Sequence, residues 1–145
     1  MARARAVDRR LYLLLEITAR RLHRHADARL RSEAGVTAAQ SAVLFLLMRR
    51  GERRMGAISE TLALGAPAVS GLVARMEAIG LVTRSQDAAD KRGAIVTLTE
   101  AGRELAIKAD QTLREINGEL AERLGEEDAD RLHDLLGRLN TDEPG

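Results

Sequence analysis

The sequence has no cysteine and very few aromatic residues, and both shortages exclude classes of function. Without cysteine the chain forms no disulfide, no thiolate metal site and no thiol-based redox sensor. Its two aromatic side chains, Tyr12 and Phe45, are too few for a platform on which single-stranded bases stack. No apolar run approaches the roughly 20 residues of a membrane-spanning helix, and the start lacks the apolar stretch of a secretory signal. We therefore expect a cytoplasmic protein.

Charge is unevenly distributed along the 145 residues, although the formal net charge is only +1. Residues 1–99 carry 17 basic and 9 acidic side chains, whereas residues 100–145 carry 6 basic and 13 acidic ones. Arginine supplies 21 of the 23 cations, and its planar guanidinium suits phosphate groups and guanine edges. The first two thirds of the chain are therefore expected to face an anion.

The first third of the chain is predicted to form two helices. Apolar residues recur every three or four positions between about 7 and 33, which is typical of a helix with one apolar stripe. Gly35 ends this helix. Thr37 and Gln40 have the spacing of a capping box, in which the hydroxyl and the glutamine side chain each accept a backbone N–H. The helix that they open, from 38 to about 50, is apolar on most sides.

Residues 58–70 have the spacing of a helix-turn-helix motif. A short helix from about 56 to 62 precedes a break, and a second helix is predicted from Pro67, at its first position, to about Ile79. The small Ser59 allows two helices to approach closely, and Val69 locks the second helix onto the first. In such motifs the second helix lies in the major groove of DNA. By itself the pattern fits a helical hairpin without a ligand equally well.

A two-stranded ribbon is predicted directly behind this motif. Gly80 suits the left-handed position after a helix end, Leu81–Arg84 and Ala94–Leu98 alternate as paired strands, and Thr99 caps the next helix. The segment between the strands carries Asp90, Lys91 and Arg92 at its tip. A basic tip in this place can reach a second groove of DNA, because a narrow minor groove attracts guanidinium groups. The alternative is an ordinary solvated hairpin turn.

From Val36 to about Leu113 the sequence resembles the multiple antibiotic resistance regulator (MarR) family of winged-helix transcription factors. Three motifs carry the resemblance at specific spacings: Gly-Leu-Val-x-Arg at 80–84, Asp-x-Arg at 90–92 and Leu-Thr-x-x-Gly at 98–102. The capping pair, the helix-turn-helix, Arg75–Glu77 and Asp87 agree with the family as well. The flanking helices match it in length and position only.

The resemblance implies a mainly α-helical fold with a small β-wing, in which a winged helix-turn-helix is flanked by N- and C-terminal dimerisation helices. It implies a homodimeric DNA-binding repressor or activator. Of the two we expect a ligand-responsive repressor of a palindromic operator, with double-stranded DNA as partner and no cofactor. In the family the wing arginine, here Arg92, enters the minor groove, and the preceding acid, here Asp90, orients it. The effector stays unknown, although Tyr12 and Arg20 or Arg21 are candidates to line its pocket.

Twelve residues form the candidate DNA-binding set. They are Ala66, Pro67, Ala68, Ser70, Gly71 and Arg75 on the recognition helix, and Arg53, Arg54, Arg84, Asp90, Lys91 and Arg92 elsewhere. Ser70 can bond to several bases and Ala68 can touch a thymine methyl, whereas Arg75 reaches only phosphate. We therefore expect specificity to depend on groove shape and the wing more than on base edges. The basic run 49–54 either binds phosphates or solvates a turn.

Two terminal helices, from about 100 to 124 and from about 126 to 139, are also amphipathic. Together with the first helix they form either a core within one chain or a seam between two chains. We expect the seam, and divide the chain into an N-terminal dimerisation helix (1–35), a DNA-binding region (36–99) and C-terminal dimerisation helices (100–145) within one intertwined domain. A dimer would place its recognition helices about 34–36 Å apart.

Other classes of function fit the sequence less well. The chain has no nucleophile elbow, phosphate-binding glycine loop or metal-ligand cluster, so an enzyme is not expected. His23, His25 and His133 are expected to be solvated or interface residues and not metal ligands. His23 and His25 lie two positions apart on a helix, so their side chains point to different faces. The remaining alternative is a winged-helix adaptor that binds proteins and not DNA, and the basic run and the wing arginine argue against it.

Overall fold

The computed structural model describes residues 2–86, 89 and 93–141, with residues 2–9 described by their backbone alone. The predictions for Asp87, Asp90, Lys91 and Arg92 therefore lie outside the described residues. Within the described part the elements are α1 (Ala2–Ala34), α2 (Ala38–Arg50), β1 (Arg53–Arg54), α3 (Met55–Leu62), α4 (Ala66–Ala78), β2 (Val82–Gln86), β3 (Ala94–Leu98), α5 (Glu100–Leu124) and α6 (Glu126–Leu139). The chain divides into two compact units, Met1–Thr112 and Leu113–Gly145.

The first unit has its own hydrophobic core, built from four helices and the sheet. Its largest fully buried side chains are Leu30, Val36, Val43, Leu44, Ile58, Val69, Val73, Met76, Val82 and Val96. Burial of such side chains stabilises the fold by about 1.5–3 kcal/mol each relative to exposure. The apolar density of α2 correctly indicated burial on most sides, but Phe45 is 40% exposed and lies under the guanidinium of Arg49, 5.6 Å from its ring centroid.

The sheet has three antiparallel strands in the order β1-β3-β2. The prediction of a ribbon with only two strands was therefore wrong, because it missed β1. Arg53 pairs with Val96 and Arg54 pairs with Ile95, which makes part of the basic run a strand and not a turn. Without β1, the outer edge of β3 would leave backbone N–H and C=O groups unpaired. The two residues of β1 are enough to form hydrogen bonds with them. On the other side β2 begins one residue later than predicted and ends at Gln86, opposite Ala94.

The junction between α1 and α2 is held by two sets of hydrogen bonds. The predicted capping box is confirmed, because the Gln40 N–H donates to Thr37 Oγ1 and the Thr37 N–H donates to Gln40 Oε1, both at 3.0 Å. A third bond comes from outside the helix: the Ala38 N–H donates to Asp27 Oδ1 of α1 at 2.8 Å. The first N–H groups of a helix have no partner within it, so Asp27 both satisfies one of them and ties α1 to α2.

The end of α4 and the start of α5 meet at one point of the backbone. Gly80, with φ of +81°, lets the N–H of Leu81 bond to the Met76 carbonyl at 2.9 Å, which confirms the predicted helix stop. Thr99 caps α5 as predicted: its Oγ1 accepts the Gly102 N–H at 3.0 Å and donates to the Gly80 carbonyl at 2.6 Å. This network joins the end of α4 to the start of α5.

The second unit, Leu113–Gly145, contains the end of α5 and all of α6. No residue of α6 that the structure describes is buried. Its apolar side chains nevertheless recur on one face: Leu132, Leu135, Leu136 and Leu139 are 37–66% exposed. Acidic residues at Glu126, Glu127 and Asp128 match the positive end of the helix dipole. The apolar face of α6 is therefore uncovered in a single chain.

Candidate nucleic-acid interface

Helices α3 and α4 form the predicted helix-turn-helix, with an angle of 115° between them. The turn is held by the Ser59 hydroxyl, which donates to the Leu64 carbonyl, and by the Leu64 N–H, which donates to the Ser59 carbonyl at 3.0 Å. Ala63 adopts the left-handed conformation with φ of 53°, where glycine is the usual residue. Local hydrogen bonds and this one unusual backbone conformation thus set the direction in which α4 leaves the turn.

Helix α4 has a buried and an exposed face. Val69, Leu72, Val73 and Met76 pack into the core. The candidate residues lie on the other side: Ala66, Pro67, Ala68, Ser70 and Arg75 are exposed and Gly71 is half-buried. Pro67 is the second helical residue and not the first as predicted, because α4 begins at Ala66 after the cap Gly65. The N-terminal end of the helix therefore presents backbone and small side chains to its surroundings.

Arg75 is the one long side chain of this candidate set on α4. A Cβ built on Gly71 would lie 3.3 Å from Arg75 Nη1, so the guanidinium lies back along the helix over the bare glycine backbone. The two positions are one helical turn apart, which is the spacing at which side chains on a helix meet. The arginine thereby extends its charge towards the N-terminal end of the exposed face.

The basic run lies next to the sheet. Arg53 and Arg54 form β1, with Arg53 half-buried and Arg54 exposed, and Arg53 Nη1 donates to the Glu52 carbonyl at 2.8 Å. Glu52 in turn accepts a hydrogen bond from the Thr97 hydroxyl of β3 at 3.3 Å. The run is thus anchored to the strand that also pairs with β2, and its position is set by the sheet.

Arg84 of β2, another candidate, is engaged by Glu77 of α4. Its backbone N–H donates to Glu77 Oε2 at 3.1 Å, while its Nε and Nη2 donate to Glu77 Oε1 at 3.2 and 3.0 Å. These hydrogen bonds hold the pKa of Glu77 below its ordinary value of 4.5, and those from the Arg84 side chain have the largest effect. Sequence reasoning did not anticipate this pair. The only signal was an acid seven residues before an arginine, across a glycine turn.

A concavity on α1 lies outside the helix-turn-helix. It has a volume of about 500 Å³ and is lined by Ala19, Arg20, His23, Arg24 and Asp27. Arg20 pairs there with Glu16 one turn earlier. Of the three residues suggested for an effector pocket, only Arg20 lines this concavity.

Among the residues that the structure describes, no three histidine, aspartate or glutamate side chains are grouped so as to hold a metal ion. No single described helix has the length and hydropathy to span a membrane, and only the bent pair of α3 and α4 meets those criteria together. The inner face of α4 is buried in the protein core.

Comparison with known proteins agrees with this geometry. The sequence model of the MarR family matches residues 34–93. A probable transcriptional regulator from Pseudomonas aeruginosa is 28% identical, with a TM-score of 0.72 over 86% of this chain and 96% of the other. The transcriptional regulator BldR from Sulfolobus solfataricus is 26% identical, with a TM-score of 0.75 over 91% of this chain and 97% of the other.

A third solved structure adds a protein whose DNA binding is known to be controlled. BpsR from Bordetella bronchiseptica, whose DNA binding is regulated by 6-hydroxynicotinic acid, is 25% identical, with a TM-score of 0.75 over 88% of this chain and 99% of the other. Nothing among curated protein sequences matches significantly. The fold and the matches together define a winged-helix transcriptional regulator. Residues 34–93 match the model of the MarR family, to which the motifs already pointed.

Proposed function

We propose that the protein is a homodimeric repressor that binds a palindromic operator in double-stranded DNA. The observation that carries the proposal is the two-sided character of α4: its inner face is buried, whereas Ala66, Pro67, Ala68, Ser70 and Arg75 are exposed. A helix held in this way by a helix-turn-helix can enter the major groove with its N-terminal end towards the bases. The match of residues 34–93 to the MarR family model supports the same function.

The DNA contacts that we propose divide by chemistry. Arg53, Arg54 and Arg75 bind phosphates, which fixes the position of the protein on the duplex without reading sequence. Ser70 and Ala68 are the side chains that can touch base edges, and both are short. Arg92, positioned by Asp90 and assisted by Lys91, enters the minor groove, as the family resemblance implies. Specificity then depends strongly on groove width and DNA deformability.

Two uncovered apolar faces support a homodimer. In the first unit, Leu11, Leu13 and Leu14 near the start of α1 are 47–58% exposed, whereas Leu30 towards its end is fully buried. In the second unit, the leucine face of α6 is exposed along its length. Contiguous apolar surface of this kind is typical of protein interfaces. We propose that residues 1–35 and 100–145 supply the dimer contacts and that residues 36–99 bind DNA.

Control by a small molecule is the last part of the proposal. It is supported by BpsR, a protein of similar structure whose DNA binding is regulated by 6-hydroxynicotinic acid. An effector that binds one arrangement of the dimer more tightly would shift the population towards or away from the DNA-binding arrangement. For this chain we propose a small-molecule effector without assigning its identity.

Binding of fluorescently labelled duplexes from the region upstream of the protein's own gene tests the DNA-binding proposal. Over a salt series, log K should fall linearly with log salt, and replacing both Arg53 and Arg54 by alanine should reduce the slope by about 0.9 for each phosphate that is no longer bound. Arg138→Ala, on the exposed surface of α6, serves as the matched control and should leave the slope unchanged. A protein-binding adaptor would instead show no salt-dependent affinity for any duplex.

A further inference from the structure

We propose that Glu77 and Arg84 are a positioning pair, which holds the wing at a fixed angle to the recognition helix, and that Arg84 does not itself bind DNA. The inference rests on the proposed DNA-binding function and refines it. It reassigns one residue of the candidate set, Arg84, and adds Glu77, which was not in that set. The juxtaposition that carries it is a carboxylate in the last turn of α4 against the middle of β2.

The carboxylate holds both the backbone and the side chain of Arg84. Glu77 Oε2 accepts the backbone N–H at 3.1 Å, and Oε1 accepts the guanidinium through Nε and Nη2 at 3.2 and 3.0 Å. An ion pair between two flexible side chains would restrict only those side chains. Because one of the three donors is a backbone group, this contact also fixes the path of the strand.

The position of Arg84 in the sheet makes it an effective point of attachment. Arg84 is the central residue of β2 and pairs with Val96 of β3, which is fully buried and itself pairs with Arg53 of β1. All three strands therefore meet in the row that contains Arg84. Fixing this row relative to α4 also fixes the place of the basic strand β1.

Among the described residues, hydrogen bonds link α4 to the chain at two points, one at the turn before β2 and one at the centre of the strand. The first is the backbone turn, in which the Leu81 N–H bonds to the Met76 carbonyl at 2.9 Å. A single turn of this kind would act as a hinge. The second is the Glu77–Arg84 pair, three residues further along the strand from Leu81. Preorganisation of this kind favours binding because the wing and the helix need not be ordered when DNA arrives.

The charges of the pair also argue against a direct DNA contact. The side chains of Glu77 and Arg84 are 37% and 35% exposed, and the guanidinium already donates two of its hydrogen bonds to the carboxylate. A phosphate that approached Arg84 would meet the negative charge of Glu77 at the same place. The pair is therefore close to neutral towards DNA, which weakens the attraction of Arg84 for a phosphate.

Glu77→Gln distinguishes the positioning pair from a phosphate contact by the sign of its effect, and Arg84→Lys tests the paired geometry. Glu77→Gln removes a negative charge; if Arg84 bound phosphate, the released guanidinium would bind DNA more tightly and the salt slope would become steeper. The positioning pair predicts the opposite, a loss of roughly threefold to tenfold in affinity with an unchanged slope. Arg84→Lys keeps the charge but loses the paired geometry, and should weaken binding by a similar factor.

The experiment uses the full-length protein, the same labelled duplexes and Glu104→Gln as control, which removes one exposed carboxylate from α5. Thermal unfolding shows whether each variant is folded at the assay temperature; if Glu77→Gln is not, Arg84→Lys decides. If the folded variants bind DNA as tightly as the wild type, or more tightly, the positioning role is wrong. The proposed DNA-binding function still stands in that case, because the wild type binds DNA. Absence of salt-dependent binding by the wild type overturns the proposed function, and the positioning role with it.

Discussion

A methyl group on Gly102 would lie 2.0 Å from the carbonyl oxygen of Leu81. No side-chain rotation relieves such a contact, because both partners are backbone. We predict that Gly102→Ala destabilises the fold by about 3 kcal/mol, as the start of α5 must move away from the helix end at Gly80. Chemical denaturation measures this. The control is Gly118→Ala on the same helix, where the new methyl meets nothing within 4 Å, and it should stabilise by about 0.5–1 kcal/mol. Equal effects of the two variants would contradict the explanation.

The turn of the helix-turn-helix contains alanine in a conformation that suits glycine. Since Ala63 has φ of 53°, Ala63→Gly should relieve local strain and raise the free energy of unfolding by up to about 1 kcal/mol. The same substitution at Ala57, inside α3, should lower it by about 1 kcal/mol. Thermal melts of the two variants therefore shift in opposite directions, and a destabilised Ala63→Gly would show that the backbone there is not strained.

Acid stability should depend on Asp27. Its pKa lies below the ordinary value of 3.8, mainly because its carboxylate accepts the Ala38 N–H and secondly because Arg31 bonds to it. A carboxyl whose pKa is lowered in the folded state stabilises above its unfolded pKa, and this stabilisation is lost as the pH falls through the folded value. Asp27→Asn should therefore flatten the loss of stability below about pH 4. Asp130→Asn, on the exposed surface of α6, should leave the acid curve unchanged.

The exposed leucine face of α6 should control the oligomeric state. Leu135 is 46% exposed, so Leu135→Glu should leave the fold of the single chain intact while a charge in the seam separates the subunits. Sedimentation should show the mass of a monomer, and operator binding should weaken strongly. Leu135→Met keeps an apolar side chain of similar volume and should stay dimeric. A wild-type protein that sediments as a monomer at micromolar concentration would contradict the dimer.

The wing arginine and the recognition helix should contribute unequally to DNA binding. Arg92→Ala is expected to weaken operator affinity at least tenfold, a change of about 1.4 kcal/mol, because it removes a charge from the minor groove. Ser70→Ala should have a smaller effect, since one hydroxyl bond to a base contributes about 1 kcal/mol. Lys108→Ala, an exposed cation of α5, controls for net charge. An Arg92→Ala variant with unchanged affinity would show that the wing is not essential for recognition.

Much of the fold could be predicted because its signals are local. The capping box of Thr37 and Gln40, the helix stop at Gly80 and the cap at Thr99 each depend on hydrogen bonds between residues only a few positions apart. The buried face of α4 follows from the helical repeat. The elements on both sides of the helix-turn-helix could be assigned from such local signals, with errors of one or two residues at most ends and of five at the start of α1.

The contacts that were not predicted join residues that no local rule connects. Strand β1 has only two residues, both arginine, so neither length nor alternation distinguishes it from a turn. Glu77 and Arg84 are separated by a helix end and a change of direction, and Asp27 lies eleven residues before the helix that it caps. A carboxylate in the sequence does not indicate which of several nearby cations or amides it will meet.

The amino-acid sequence by itself determined the order of α1–α6, β2 and β3 and the face of α4 that is buried, because periodicity, capping and glycine act over one or two turns of chain. Tertiary structure alone decided that β1 joins the sheet, that Arg84 is held by Glu77 and that Gly102 is confined by Leu81. These relationships depend on how elements approach one another in space. That approach is set by the packing of the whole core and not by any single segment.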